Sequence, residues 1–213
     1  MVKDSAPEKW EYKEHTWVKH KLLSKYFSTW IKILGTGGKR KLTYFDCFAG
    51  RGQMIDGSDG SPVIAIKIAD RNAKHYREMV FTFIEKDAQN FDNLTQVLQT
   101  LKQEIENVDK ITIVQPIHND FNSSVNQIFG SLDAQRRTIA PSLFFIDPFG
   151  YSGIPLDTIK KILSYPRTEI FFTFMVSSIT RFLSHEPVSE TLTSLFGTDE
   201  WIQVIGQPNE ERA

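Results

Sequence analysis

Cysteine is nearly missing from this chain: its 213 residues include one, Cys47, which excludes an internal disulfide and any cysteine-rich metal site. A lone thiol inside an apolar run reads as inert core in a reducing compartment, and no metal is expected. Excess charge of either sign is missing too. With 25 Lys and Arg against 26 Asp and Glu, the chain as a whole is no sponge for polyanions. Basic residues gather only locally, at 19–21 (KHK), 39–41 (KRK) and 71–77 (RNAKHYR), where a solvated helix face or loop is the ordinary explanation. No uncharged run reaches the roughly 18 residues needed to span a bilayer, and the charged N-terminus has no signal-peptide pattern. The expectation is a cytoplasmic protein. No Walker A loop can be read in GTGGKRK at 35–41, which leaves that stretch a linker.

What is present is enough for one sizeable core: 40% hydrophobic residues, with sixteen Phe among them. Leu23, Phe27, Trp30 and Leu34 recur at helical spacing and predict an amphipathic helix ending at Gly35. Short, nearly continuous apolar runs follow at 41–48, 79–87, 110–117, 142–149 and 168–176. Continuous rather than alternating runs predict strands buried on both faces, as in a parallel sheet. Helical segments separate them, at 61–76 (with Ser61 as N-cap and Pro62 in the first turn), 88–106, 122–135 and 155–165. This alternation predicts an α/β fold, a doubly wound and mostly parallel sheet. Three parts are expected: a helical lead-in over 1–40, a core over 41–182, and a helical or irregular segment over 183–213.

Open α/β sheets bind ligands beyond the carboxyl ends of their strands. Here those ends carry Asp46, Glu85, Asp120 and Asp147. Each alone is an ordinary turn former or helix cap; four at one edge make a constellation. After Asp46 comes FAGRG, in which Gly50 and Gly52 allow a tight turn and close approach to a ligand. The third small residue of a dinucleotide loop is missing, Ile55 standing there, and the next helix begins only near Ser61. A ligand with an adenosine half and no phosphate fits better, namely S-adenosylmethionine. Asp46, Phe48, Gly50 and Gly52 are expected at its amino-acid end, Glu85 on its ribose hydroxyls, and Asp120 with Phe121 at its adenine. The turn Asp147–Pro148–Phe149 is similar to the [DN]-P-P-[FYW] turn of amino methyltransferases, with one proline missing. There the acid orients a target amine and the ring stacks on a flat substrate; a helix-capping acid with a shaping proline is the plain alternative.

Taken in order, segments 19–34 (KHKLLSKYFSTWIKIL), 44–52 (YFDCFAGRG), 59–62 (DGSP), 83–87 (FIEKD), 144–155 (FFIDPFGYSGIP) and 168–182 (TEIFFTFMVSSITRF) resemble the three-Cys-motif partner (TcmP) family. The resemblance implies a Rossmann-like methyltransferase fold, a bacterial or phage setting, and a separately encoded partner bearing the three-cysteine motif. The matching positions are Asp46, Gly50, Gly52, Gly60, Ser61, Glu85, Asp147, Pro148, Phe149, Gly150 and Arg181. Arg181 and Tyr151 are expected near the substrate, with a salt bridge at the sheet edge the alternative for Arg181. His20 and Lys21 either cover the site or lie on a solvated face. Methyltransferase sheets end with two further strands, and none can be read before Ala213. A sheet lacking its last strands, with an exposed edge, is therefore expected. Two functions remain: methyl transfer to an amino nitrogen, nucleic acid being the leading substrate class, or a non-catalytic partner module.

Overall fold

Pro62 in a first helical turn, acids at strand ends and β-rich apolar runs give the alternation of strand and helix seen in the computed structural model, which describes residues 14–174, 176, 179–180 and 189–205. Helix α1 spans Glu14–Leu34. The strands are β1 (Lys41–Asp46), β2 (Glu78–Glu85), β3 (Ile111–Ile113), β4 (Ile117–His118), β5 (Ser142–Ile146) and β6 (Thr168–Phe172). Between and after them lie α2 (Ser61–Arg71), α3 (Ala88–Glu104), α4 (Phe121–Ala134), α5 (Leu156–Leu163) and α6 (Ser189–Phe196). The main sheet runs β3-β2-β1-β5-β6, every pair parallel, with β4 beside the far end of β2. The order reverses between β1 and β5, and that reversal fixes where a crevice can form.

Alternating side chains divide the core in two. Leu42 and Tyr44 of β1 face the layer built by α1, α2 and α3, where Phe27 meets Tyr44 at 4.7 Å between ring centroids. Phe45 and Cys47 face the α4, α5 and α6 layer, and Phe45 stacks on Phe144 at 4.2 Å. The doubly wound expectation therefore holds, and no helix among the described residues is long and apolar enough to cross a membrane.

Three local expectations need correction. The segment 110–117 is two strands, because Pro116 has no N–H to give to a ladder and the chain steps away between Ile113 and Ile117. Ser61 is the first helical residue, not the cap; Gly60 is the N-cap and supplies no side-chain hydrogen bond. The last strand stops at Phe172, short of the expected 176. The chain from 181 to 188 and from 206 onward, with Arg181 in it, lies outside the described residues.

Candidate functional site

Register alone places three acids on one face. In the parallel ladders Asp46 pairs with Phe83 of β2 and with Phe145 of β5, and paired residues share a face. Glu85 and Asp147 follow those partners by two residues, so they return to that same face, the one covered by α1, α2 and α3. Their fields meet: Asp147 and Glu85 both act on the Asp46 carboxyl.

Asp46 is the anomaly of the structure. It is 0% exposed, and neither carboxyl oxygen has a hydrogen-bond partner of good geometry. Burial pushes its pKa up to about 7; the nearby Ser61 hydroxyl and Phe48 amide temper the rise, and the acids beside it add to it. Buried polar atoms are nearly always satisfied, so an orphaned carboxylate marks either a strain reservoir or a place made for a ligand.

The loop after it is shaped by glycine. Gly50 and Gly52 have φ of 62° and 81°, in the left-handed region where a side chain is strained. Gly60 donates its N–H to the Gly52 carbonyl at 2.8 Å, and a Cβ on Gly60 would stand 2.6 Å from that oxygen. The chain from 52 to 60 is thus pinched into a closed loop directly before α2. Glu85 holds the loop from β2. Its Oε2 accepts from the Gly50 N–H at 2.7 Å and its Oε1 from the Asp87 N–H at 2.7 Å. Burial raises the Glu85 pKa while these donors oppose the rise. The Lys86 N–H is a third backbone donor to this carboxylate.

Asp147 opens the turn after β5. Lys19 of α1 donates from Nζ to both its oxygens, at 2.6 and 2.8 Å, in a half-buried pair. Pro148 is buried behind it, whereas Phe149 is 69% exposed, followed by Gly150 at φ 112° and a half-buried Tyr151. His20 is buried beside the pair; burial lowers its pKa, with Asp147 pulling the other way. Lys21 points elsewhere, its Nζ 5.5 Å over the Trp17 ring.

Lys19 is the residue the sequence reading missed. Its signal was available, since Lys19 lies four residues before Leu23 and eight before Phe27, on the buried stripe of α1. A charged residue on a core-facing stripe needs a partner, and Asp147 is that partner. Replacing Lys19 by Met is expected to lower stability by about 1–2 kcal/mol, less than for a fully buried pair because water reaches both groups. Urea denaturation at neutral pH measures it.

The remaining expected residues are placed otherwise. Asp120 caps α4, its Oδ1 accepting from the Ser123 N–H at 2.9 Å. Phe121 is 2% exposed and sits in the core on the opposite side of the sheet, tilted against Phe48 at 5.7 Å. Phe48, half-buried, is the more open ring of that pair. Among the described residues no cluster of three or more His, Cys, Asp or Glu could hold a metal ion. No protein-family model matches the chain, and no curated protein matches it either.

Proposed function

We propose that the protein binds S-adenosylmethionine at the β1–β5 reversal and transfers a methyl group to an amino nitrogen. The observation that carries this reading is Asp46: a sealed carboxylate at a strand mouth, near the Ser61 hydroxyl and Phe48 amide but with no well-formed hydrogen bond to either oxygen, against two left-handed glycines. A ligand ammonium supplies the missing donors, and the resulting pair relieves the burial penalty. Gly50 lets the backbone turn sharply beside Asp46, where the ligand's backbone-like end would lie, while Gly52 lets the loop pack close against Val97 and Leu94 of α3. The acceptor capacity that Glu85 keeps beyond its backbone donors suits a ribose hydroxyl. When bound, the cofactor supplies an electrophilic methyl on a sulfonium.

The chain's own part is positioning. The Asp147 carboxylate accepts hydrogens from the incoming amine, turning its lone pair toward the methyl. Phe149, largely exposed, offers a face to a flat substrate such as a nucleic-acid base, which would first leave its stack. A cytoplasmic setting in bacteria fits the resemblance to three-Cys-motif partner proteins.

A second reading has its own observation. Both Asp147 oxygens are already engaged by Lys19, which leaves the amine-orienting position filled from within. That favours a methyltransferase-like module serving a three-cysteine-motif protein without turnover.

Calorimetric titration separates these readings. Wild type is expected to bind S-adenosylmethionine, while Asp46→Ala and Glu85→Ala each lose about tenfold or more in affinity, as befits charge-assisted hydrogen bonds. Binding with methyl transfer to bulk DNA or RNA supports the enzyme. Binding without transfer, together with co-purification of the three-cysteine protein, supports the module. Binding unchanged by both substitutions overturns the site.

A further inference from the structure

The two basic runs left as ordinary surface by their sequence are brought together by the fold. Gly38 N–H donates to the His75 carbonyl at 2.9 Å and Arg77 N–H to the Arg40 carbonyl at 2.9 Å, joining the loop before β1 to the loop before β2. Two further loops continue the line, 135–141 before β5 and 164–167 before β6. In the strand order β2-β1-β5-β6 these four loops are neighbours along the amino-terminal edge of the sheet. They carry Arg77, Arg40, Arg136, Arg137 and Arg167, five of the nine arginines in the chain.

None of the five has a carboxylate within salt-bridge distance among the described residues. Nearby acids are already engaged: Glu78 by Lys41 at 3.0 Å, Asp133 by the Tyr165 hydroxyl, Glu169 by the Tyr26 hydroxyl. A net charge of −1 therefore conceals a local gathering: five guanidiniums along one rim of the sheet, free of ion pairs although Glu78, Asp133 and Glu169 lie on the same side.

Backbone strain points to the same edge. Thr36, Arg136 and Arg167, with φ of 50°, 51° and 60°, are the described non-glycine residues in the left-handed region, and all three lie in these loops. Glycine would be easier in each place, so holding arginine at two of them calls for a use. Adjacent strands are about 4.8 Å apart, so the four loops cover roughly 14 Å. Successive phosphates rise about 3.4 Å along one nucleic-acid strand, so such a line faces roughly four of them.

We infer that the amino-terminal edge of the sheet is a binding surface for the phosphate backbone of a nucleic acid, held by Arg40, Arg77, Arg136, Arg137 and Arg167. Guanidinium forks match phosphate oxygens in pairs, which lysine cannot do. A membrane is the poorer partner, because loops 35–40, 72–77, 135–141 and 164–167 expose no large apolar side chain to enter a bilayer. The surface is separate from the acid mouth by the length of the strands, about 20 Å for β1. It does not depend on what the mouth binds.

The test follows binding of a labelled single-stranded oligonucleotide and a labelled duplex by fluorescence anisotropy between about 50 and 200 mM salt. Wild type is expected to bind at low salt with a log–log slope of about −2 to −3 on the single strand and about −3 to −4 on the duplex, as three or four contacts require. Arg136→Gly/Arg167→Gly is the first variant, since glycine relieves the left-handed backbone and the melting temperature is not expected to fall. Its affinity is expected to drop about tenfold or more, with a shallower slope. Arg77→Glu/Arg137→Glu is expected to lose binding altogether, while S-adenosylmethionine titrations of both variants match wild type. Failure of wild type to bind either probe overturns the inference, as does an unchanged slope in both variants or capture by phosphatidylserine vesicles instead.

Discussion

Asp46→Asn is expected to stabilise the protein by about 2–4 kcal/mol at pH 8 and by almost nothing at pH 4. The cause is the sealed carboxyl, whose folded pKa stands near 7 against an ordinary value of 3.8. Because the folded pKa is raised, the neutral form is the one the fold tolerates. Below the unfolded pKa both states are protonated and nothing is lost. Between about pH 4 and 7 the unfolded chain releases the proton more readily than the native one, and stability drains away until the native carboxyl ionises too. A gap of about 3 units sets the ceiling near 4 kcal/mol. Asparagine keeps the shape without the titration, so its curve falls less steeply over the window in which the wild-type curve falls. Glu85 is shifted in the same direction and contributes to the same slope. Thermal unfolding at several pH values measures the difference, and equal melting temperatures at pH 8 would show that Asp46 is hydrated. The variant should at the same time bind S-adenosylmethionine poorly. A substitution that strengthens the fold while weakening the ligand is the signature of a residue kept for binding.

The second large effect is steric. A Cβ added at Gly35 would lie 2.0 Å from the His75 carbonyl oxygen and 2.7 Å from that of Ile31, both backbone atoms that cannot rotate aside. Gly35→Ala is expected to cost about 3 kcal/mol or more, because the end of α1 must lift from the loop before β2. Gly37→Ala is the control. Gly37 has φ of 65° and nothing within 4 Å of a new Cβ, so only backbone strain of about 1 kcal/mol applies. Chemical denaturation of the pair should separate a clash from a conformational preference. Gly35→Ala should also blur the arginine edge, since the Gly38–His75 hydrogen bond that joins the loops before β1 and β2 would open.

Much of this architecture could be read before any coordinates. Continuous apolar runs gave parallel strands, and helical spacing gave α1 nearly to the residue, because burial on two faces and on one stripe leave different periods. Asp46, Glu85 and Asp147 were legible as strand-end acids, and the parity that sets them on one face follows from register, which no single strand contains. Asp120 is a helix cap in the structure, and sequence alone does not separate that role from a ligand contact: an acid just before a helix serves either. Lys19 was hidden within KHK, a basic run that reads as an ordinary solvated helix face. The arginine edge was hidden more deeply. Its residues come from four loops spread between positions 40 and 167, and only the reversal of strand order makes them adjacent.

That polarity sets how the molecule meets its surroundings. Parallel strands all start at one rim and finish at the other, so a body anchored through its starting rim turns its finishing rim outward. Docked on a polymer, the protein would hold its acid mouth toward free solution like a lamp on a bracket. Whatever enters that mouth must then arrive from the far side, as a freely diffusing molecule, a second protein, or a distant stretch of the same polymer looping back.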